Sequence, residues 1–163
     1  MMTIGLISDT HGAPDNRIVE FLKGTDEIWH AGDMVSLDAQ LTLAGTRIFR
    51  GVYGNVDGQD VRLACPEYLS FMAEGVRVLM MHIGGYPGRY DHRARALIEK
   101  EQPGLFICGH SHILKVIYDH KYRMLTVNPG AAGNYGIHRS ITALRFVIDG
   151  TQIRDMEVLD IPR

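Results

Sequence analysis

Five short apolar runs in the sequence end in the same way, each at a polar residue that can bind a metal ion. The runs are IGLIS before Asp9, EIWHAG before Asp33, IFRGVYG before Asn55, VRVLMM before His82 and LFICG before His110. Apolar runs of this length, bounded by turn residues, are typical of buried β-strands. Ligands in open α/β sheets bind outside the carboxyl ends of the strands, so we expect the five polar residues to meet at one sheet edge.

The order of the predicted elements assigns the chain to the α/β class. Strands and helices alternate up to residue 54, and this βαβαβ order implies parallel pairing with helices on a sheet face. Beyond that point the pattern is mostly antiparallel β, with one further helix. Strands are predicted at residues 3–8, 27–31, 47–53, 68–73, 76–81, 105–108, 114–118, 123–127, 140–148 and 152–159, and helices at 15–23, 36–43 and 90–101.

Size, charge and cysteine content narrow the class of protein further. The 163 residues are predicted to form one domain, 1–163, and the formal net charge of −2 argues against binding to a nucleic acid polymer or an anionic membrane. The chain begins without a basic, apolar leader and has no apolar run long enough to span a bilayer, so we expect a cytoplasmic protein. Cys65 and Cys108 are too few for a disulfide framework and are predicted to be buried thiols.

Two pairs of the polar residues share a spacing of one intervening residue: Asp9 with His11, and His110 with His112. In an extended backbone, side chains at positions i and i+2 point to the same side, with Cα atoms about 6.6 Å apart. Each pair is therefore expected to face one ion or two adjacent ions. The resulting seven candidate ligands are Asp9, His11, Asp33, Asn55, His82, His110 and His112.

The chemistry of these seven donors indicates both the metal and the reaction. A mixture of imidazole nitrogens with carboxylate and amide oxygens suits Mn, Fe, Zn, Co or Ni better than Mg or Ca, and manganese is our first expectation. Seven donors exceed the needs of one ion and predict two divalent ions about 3.5 to 4 Å apart that share one carboxylate. Two such ions beside two carboxylates leave a formal charge of +2, which attracts a phosphoryl group. Phosphoester hydrolysis is therefore the predicted reaction class.

Six short blocks contain the candidate ligands and their neighbours: SDTHG at 8–12, HAGDM at 30–34, GNVD at 54–57, MHIGG at 81–85, GHSH at 109–112 and NPGA at 128–131. In this order they resemble the calcineurin-like metallophosphoesterase superfamily, specifically its small single-domain bacterial and archaeal phosphodiesterases. The resemblance implies an α/β fold built as a four-layer α-β-β-α sandwich, with two mixed sheets flanked by helices and a dinuclear metal site at one edge. It also implies a phosphodiesterase that acts by in-line attack of a metal-bridging hydroxide.

The same resemblance implies a role for each donor. Asp33 is the shared carboxylate, and all seven positions keep a competent donor, as expected for an active enzyme. The predicted catalytic residues are Asp33, Asn55, Asp57 and His82. One metal is expected on Asp9, His11, Asp33 and His112, and the other on Asp33, Asn55, His82 and His110.

Two positions depart from the pattern of many relatives. A histidine that assists the leaving group is replaced by Val56, which cannot donate a proton, although the small phosphodiesterases also lack this histidine. Help for the leaving group is then expected from the metals, from water or from Asp57. Ile83 replaces a usual glycine after His82 and is expected to narrow the adjoining pocket.

Other readings of the sequence stay open. A non-catalytic interaction scaffold, like the retromer scaffold subunit of the same superfamily, is one alternative, although those scaffold relatives have lost the imidazole where this chain has His82. A phosphomonoesterase is the other. The expected partner is a small-molecule phosphoester, and a homo-oligomer is left open.

Residues beside the ligand blocks carry two further predictions. The loop at 84–93 either contacts substrate, with Arg89 and Arg93 on phosphate and Tyr86 or Tyr90 stacked on a ring, or is a solvated loop before a capped helix. Two histidines are expected mainly in structural or surface positions: a hydrogen bond to a ligand is the alternative for His30, and a substrate contact is the alternative for His138.

Overall fold

A computed structural model describes all 163 residues of the chain, in twelve strands and four helices. The strands are β1 Met2–Ile7, β2 Glu27–His30, β3 Ile48–Gly51, β4 Tyr68–Ala73, β5 Val76–Met81, β6 Gly85–Tyr86, β7 Arg89–Tyr90, β8 Leu105–Ile107, β9 Leu114–Asp119, β10 Met124–Pro129, β11 Ser140–Asp149 and β12 Gln152–Pro162. The helices are α1 Asn16–Phe21, α2 Leu37–Ala44, α3 Gln59–Ala64 and α4 His92–Glu101.

Two five-stranded mixed sheets form the centre of the molecule. The first has the order β12-β11-β1-β2-β3, in which β1, β2 and β3 are parallel and β11 and β12 are antiparallel additions. The second has the order β4-β5-β8-β10-β9, in which β5, β8 and β10 are parallel and both edge strands are antiparallel. The parallel strands of each sheet therefore have their carboxyl ends on the same side of that sheet.

The apolar residues of the central strands point to both faces because each sheet is covered on both sides. In β1, Ile4 and Leu6 lie in the core between the two sheets, whereas Ile7 packs in the cluster that contains Ile18 of α1. On the second sheet, Phe106 of β8 packs in a cluster with apolar residues of α4. The layers run helix, sheet, sheet, helix, so the predicted four-layer α-β-β-α sandwich is confirmed.

Three local elements differ from the sequence prediction. Helix α3 was not predicted; it has only six residues, no side-chain hydrogen bond caps its start, and Val61 is its single buried residue. The loop at 84–93 contains the short hairpin β6–β7. Helix α4 begins at His92 because the Asp91 carboxylate caps the backbone N–H groups of Arg93 and Ala94.

The cysteines are buried free thiols, as predicted. Burial raises the pKa of Cys65 to about 11 and that of Cys108 to about 12. None of the four helices has the length and apolar character needed to cross a membrane.

Candidate metal centre

The predicted ligands lie in the loops that follow parallel strands of both sheets. Within the first sheet, the Asp9 amide donates to the Gly32 carbonyl at 2.9 Å. Between the sheets, the His110 amide donates to Asp9 Oδ2 at 3.1 Å. These two contacts draw loops from three strands to one edge, where the sequence predicted that they would meet.

Five of the seven predicted ligands have a left-handed backbone. The φ angles are 53° at Asp9, 48° at His11, 55° at Asp33, 71° at His110 and 61° at His112. The expected extended backbone for the two i, i+2 pairs is therefore wrong, and tight turns bring the donors together instead. A left-handed conformation costs an ordinary residue about 1 to 2 kcal/mol, and such strain concentrates at functional sites.

The donors form two adjacent clusters. In the first, the donor atoms of Asp9, His11 and His112 lie within 4.8 Å of one another, and His112 Nε2 is 3.2 Å from Asp9 Oδ1. The second contains Asp33, His82 and another histidine at the same spacing, with His82 Nε2 at 3.1 Å from Asp33 Oδ2.

Short distances also connect the two clusters. His11 Nε2 lies 3.9 Å from Asp33 Oδ2, and His82 Nε2 lies 3.8 Å from Asp9 Oδ1. Asp33 can therefore serve both clusters, which is the arrangement that a shared carboxylate needs. The structure places His110 in the second cluster and Asn55 next to it, with Asn55 Oδ1 at 3.0 Å from His110 Nδ1.

The side chains at this edge fit divalent ions. Four buried side-chain atoms of the chain have no hydrogen-bond partner. Three of them are candidate metal-binding atoms of the two clusters: Asp9 Oδ1, His11 Nε2 and His82 Nε2. An unpartnered buried polar atom costs about 1 to 3 kcal/mol, so their convergence needs a compensating ligand. A site that combines imidazole nitrogens with carboxylate oxygens is suited to transition-metal ions.

His82 and Asp33 perturb each other. Burial lowers the pKa of His82, but the nearby carboxylates of Asp33, whose Oδ2 is 3.1 Å from His82 Nε2, and of Asp9 raise that pKa overall. Burial raises the pKa of Asp33, whereas the close approach of His82 brings it below its ordinary value. Opposing effects of this kind on neighbouring groups are typical of functional sites.

Three ligands of the two clusters, Asp9, Asp33 and His82, are held by a hydrogen bond at one atom and present another atom to the clusters. Ser8 Oγ donates to Asp9 Oδ2 at 2.6 Å, which leaves Asp9 Oδ1 free. The Val56 amide donates to Asp33 Oδ1 at 3.0 Å. His82 Nδ1 lies 2.7 Å from the Ala31 carbonyl, which can only accept, so the Nε2 lone pair of His82 faces the clusters.

His138 fixes the orientation of the ligand His112. His138 Nε2 lies 2.6 Å from the Gly133 carbonyl and must donate to it. Burial lowers the pKa of His138, so the ring is neutral and its Nδ1 accepts a hydrogen bond. The partner at 3.1 Å is His112 Nδ1, which therefore carries a hydrogen and leaves His112 Nε2 free for a metal. The structure thus places His138 behind a ligand.

Asp57 supports the turn that carries Asp33. One of its oxygens accepts from the amides of Gly54 at 2.8 Å and Asp33 at 2.9 Å, and the other accepts from Val35 at 2.8 Å. Both oxygens of this buried carboxylate are used by backbone N–H groups. The geometry makes Asp57 a positioning residue and gives no support to the predicted help for the leaving group.

His30 connects two ligand loops and forms no hydrogen bond to a ligand side chain. Its Nδ1 accepts from the Gly32 amide at 3.1 Å, and its Nε2 lies 2.9 Å from Thr10 Oγ1. Burial lowers the pKa of His30 to about 3, so the ring is neutral. Ser8 was missed in the sequence analysis, and its position directly before Asp9 in the SDTHG block was the available signal.

Two of the four side chains of the loop at 84–93 that were predicted to contact substrate instead bind other side chains of the protein. Arg93 is paired with Glu67 at 2.8 Å, and the Tyr90 hydroxyl donates to Asp119 at 2.6 Å. These two side chains are engaged within the protein. Tyr86 and Arg89 remain at the rim.

The amino-acid sequence matches the Calcineurin-like phosphoesterase superfamily domain over residues 2–151. No curated protein sequence matches the chain. Among solved structures, a Vps29 single mutant from Entamoeba histolytica has a TM-score of 0.75 at 17% identity, with 98% of this chain and 99% of that chain covered.

Two bacterial structures are also similar. A predicted phosphoesterase from Streptococcus pneumoniae has a TM-score of 0.70 at 22% identity, over 98% of this chain and 89% of that chain. A Thermotoga maritima protein has a TM-score of 0.72 at 26% identity, over 99% of this chain and 100% of that chain. With its sequence match over residues 2–151, this chain belongs to the calcineurin-like phosphoesterase superfamily.

Proposed function

We propose that the protein is a dinuclear metal-dependent phosphodiesterase that acts on small-molecule phosphoesters, with manganese as its ion. The observation that carries this proposal is the convergence of three unpartnered buried donor atoms, on Asp9, His11 and His82, in two adjacent clusters. When bound, two divalent ions supply an activated water and stabilise the charge that develops on the attacking and leaving oxygens. The seven predicted ligands would hold the two ions, with Asp33 shared.

The charge of the clusters explains how a slightly acidic protein would attract an anion. Asp9 and Asp33 are the only carboxylates in the two clusters, so two divalent ions leave a local excess of positive charge. The second cluster opens toward solvent through His110 and Asn55, which are exposed. A phosphoryl group can therefore reach the centre from that side.

The third block offers no group to protonate a leaving oxygen. Val56 is 48% exposed but apolar, and the Asp57 carboxylate is occupied by backbone amides. The proposed enzyme is therefore expected to favour esters whose leaving group departs without a proton, such as p-nitrophenolate.

Hydrolysis of bis-p-nitrophenyl phosphate with Mn²⁺ tests the proposal. Asp9→Asn and His82→Ala should each lose more than about 100-fold in kcat/KM, because removing even an outer partner of a metal ligand costs about 10- to 100-fold. The matched controls Asp60→Asn and His92→Ala alter exposed residues of α3 and α4 and should keep full turnover. Equal turnover in all four variants would exclude this mechanism.

The similarity to Vps29 favours one second candidate, a non-catalytic interaction scaffold. The retention of donors at all seven positions is the feature that distinguishes the enzyme. Fewer than about one ion per chain after supplementation with Mn²⁺ would support the scaffold. A phosphomonoesterase would instead prefer p-nitrophenyl phosphate over the diester.

A further inference from the structure

A cleft of about 390 Å³ lies directly beside the candidate metal centre. Its lining includes His110 and Ile83 next to the second cluster, Tyr86 and Arg89 from the hairpin β6–β7, and Lys115 from β9. Clefts of about 300 Å³ or more are the usual size for binding a small organic ligand. Because the cleft contains a predicted metal ligand, a molecule reacting at the metals can extend into it.

The hairpin β6–β7 holds Tyr86 and Arg89 in fixed positions. These two residues pair across the hairpin, and the Asp91 amide closes its base on the Gly84 carbonyl at 2.9 Å. A Cβ at Gly84 would lie 2.5 Å from Cys108 Cβ, so the base of the hairpin is packed tightly against β8. The paired hairpin therefore forms one wall of the cleft.

The cleft has two cationic groups that the chain does not neutralise. Neither Arg89 nor Lys115 forms a salt bridge. The one carboxylate in the lining, that of Asp91, accepts the amides at the start of α4. The lining thus carries a net positive charge close to a dinuclear centre, which selects a ligand with negative charge beyond the phosphate that reacts.

An aromatic surface accompanies this charge. Lys115 Nζ lies 4.5 Å from the centroid of the Tyr86 ring, and Tyr86 is 36% exposed. The combination of a ring with an arginine and a lysine is suited to a ligand that is both planar and anionic. Arginine binds phosphate through two parallel N–H groups, and tyrosine stacks on bases of any sequence.

We propose that this cleft binds one arm of the phosphodiester substrate, an arm that carries a planar ring and a second phosphate, as nucleotide derivatives do. The proposal rests on the proposed function, since the scissile phosphate occupies the metal centre. The second phosphate contacts Arg89 and Lys115, and the ring packs against Tyr86. Ile83 borders the route between the metal centre and the cleft.

Competition by simple probes tests this inference. With free Mn²⁺ held constant, ADP, pyrophosphate and adenosine are compared as inhibitors of bis-p-nitrophenyl phosphate hydrolysis. ADP has both the ring and the second phosphate and should bind at least about tenfold more tightly than either fragment, since one stacked base contributes about 1 to 3 kcal/mol and 1.4 kcal/mol is tenfold. Equal inhibition by ADP and pyrophosphate would overturn the role of the ring.

Substitutions at three residues of the cleft, with one control outside it, assign the contacts. Arg89→Ala and Lys115→Ala should each weaken ADP binding by about tenfold, whereas the control Lys121→Ala, which removes a lysine 5.1 Å from the Tyr122 ring outside the cleft, should not. Tyr86→Ala should abolish the preference for ADP over pyrophosphate, and Tyr86→Phe should restore it. Unchanged ADP binding in both the arginine and the lysine variants would refute the cleft.

Calorimetric binding of ADP to the Mn²⁺-loaded protein separates this inference from the proposed function. Loss of ADP binding in Arg89→Ala, with no hydrolysis of any diester by the parent protein, would keep the cleft and reject the enzyme. Efficient hydrolysis without a preference for ADP would keep the enzyme and reject the cleft.

Discussion

At the scale of single residues, the centre is built from side chains whose hydrogen bonds leave one atom free. Asp9 is held at Oδ2 by Ser8, and His82 is held at Nδ1 by a carbonyl. Because a hydrogen bond already fixes one atom of each group, the other atom faces the clusters. Metal binding then carries no further cost of orienting the side chain. Residues that hold a ligand are therefore expected to affect metal affinity almost as strongly as the ligands themselves.

His138 is the clearest example of such a residue. His138→Ala removes the acceptor for His112 Nδ1–H and should weaken Mn²⁺ binding by about 10- to 100-fold. His138→Gln can still accept from His112 and donate to the Gly133 carbonyl, so it should recover most of the affinity. Calorimetric titration with Mn²⁺ measures both. Equal affinity of His138→Ala and the parent protein would show that His112 is oriented by other contacts.

Asp57 should act through stability as well as through the metal. Asp57→Ala leaves three close backbone N–H groups without their acceptor. Two of these hydrogen bonds are buried, and at about 1 to 3 kcal/mol for each buried group the loss should be at least about 2 kcal/mol in the free energy of unfolding. Urea unfolding of the metal-free protein checks this value. Asp60→Ala, at an exposed position, serves as the control. A loss below about 1 kcal/mol in Asp57→Ala would contradict the assigned role.

At the scale of elements, the turns after the strands matter more than the strands. Gly109 joins β8 to the ligand His110, and a Cβ there would overlap Ser8 Oγ and lie 2.8 Å from Asp9 Oδ2. The close approach of this turn to β1 is what brings the two sheets together at the site. A side chain at position 109 should therefore move the metal-binding atoms of the two sheets apart.

Gly109→Ala is expected to reduce Mn²⁺ affinity by at least about tenfold, because the shift displaces Asp9, and to lower stability by about 1 to 3 kcal/mol through overpacking. Gly58→Ala is a matched control, since the nearest atom to its Cβ would be 3.6 Å away. Calorimetry and urea unfolding measure the two effects. Normal metal binding by Gly109→Ala would show that the turn accommodates an added methyl group without displacing Asp9.

The predictability of each element from the sequence follows its burial. The strands that lead into the site were predicted because both of their faces are covered, which produces continuous apolar runs. Helix α3 was missed because it exposes Leu63 at 79% and buries only Val61, so it leaves no periodic pattern. The hairpin β6–β7 has only two residues in each strand, too few for an alternating pattern.

The convergence of the candidate ligands was predicted from the sequence, but the backbone geometry that brings them together was not. The position of each donor after a strand indicated convergence, and the structure places the donors at one edge. The left-handed turns could not be predicted, because aspartate and histidine adopt many backbone conformations. These turns are at Asp9, His11, Asp33, His110 and His112. The hydrogen bonds of Asp57 to backbone amides were also not predicted, since they depend on how the turn at Asp33 folds.

At the scale of the whole molecule, the layers protect both thiols. Cys108 is fully buried and Cys65 is 5% exposed, and burial raises the pKa of both groups well above pH 8. Dithionitrobenzoate at pH 8 should therefore label less than about 0.1 thiol per native chain and two per chain in denaturant. Rapid labelling of the native protein would mean that the helix layers open far more readily than a packed sandwich allows.

The central claim is that two sheets bring donors from five loops around a pair of divalent ions. Crystals soaked in Mn²⁺ and measured at the manganese absorption edge test it most directly. We predict two anomalous peaks about 3.5 to 4 Å apart, one contacting Asp9, His11 and His112 and the other contacting His82 and His110, with Asp33 on both. No peak among these residues at saturating Mn²⁺, or one peak only, would contradict the dinuclear centre.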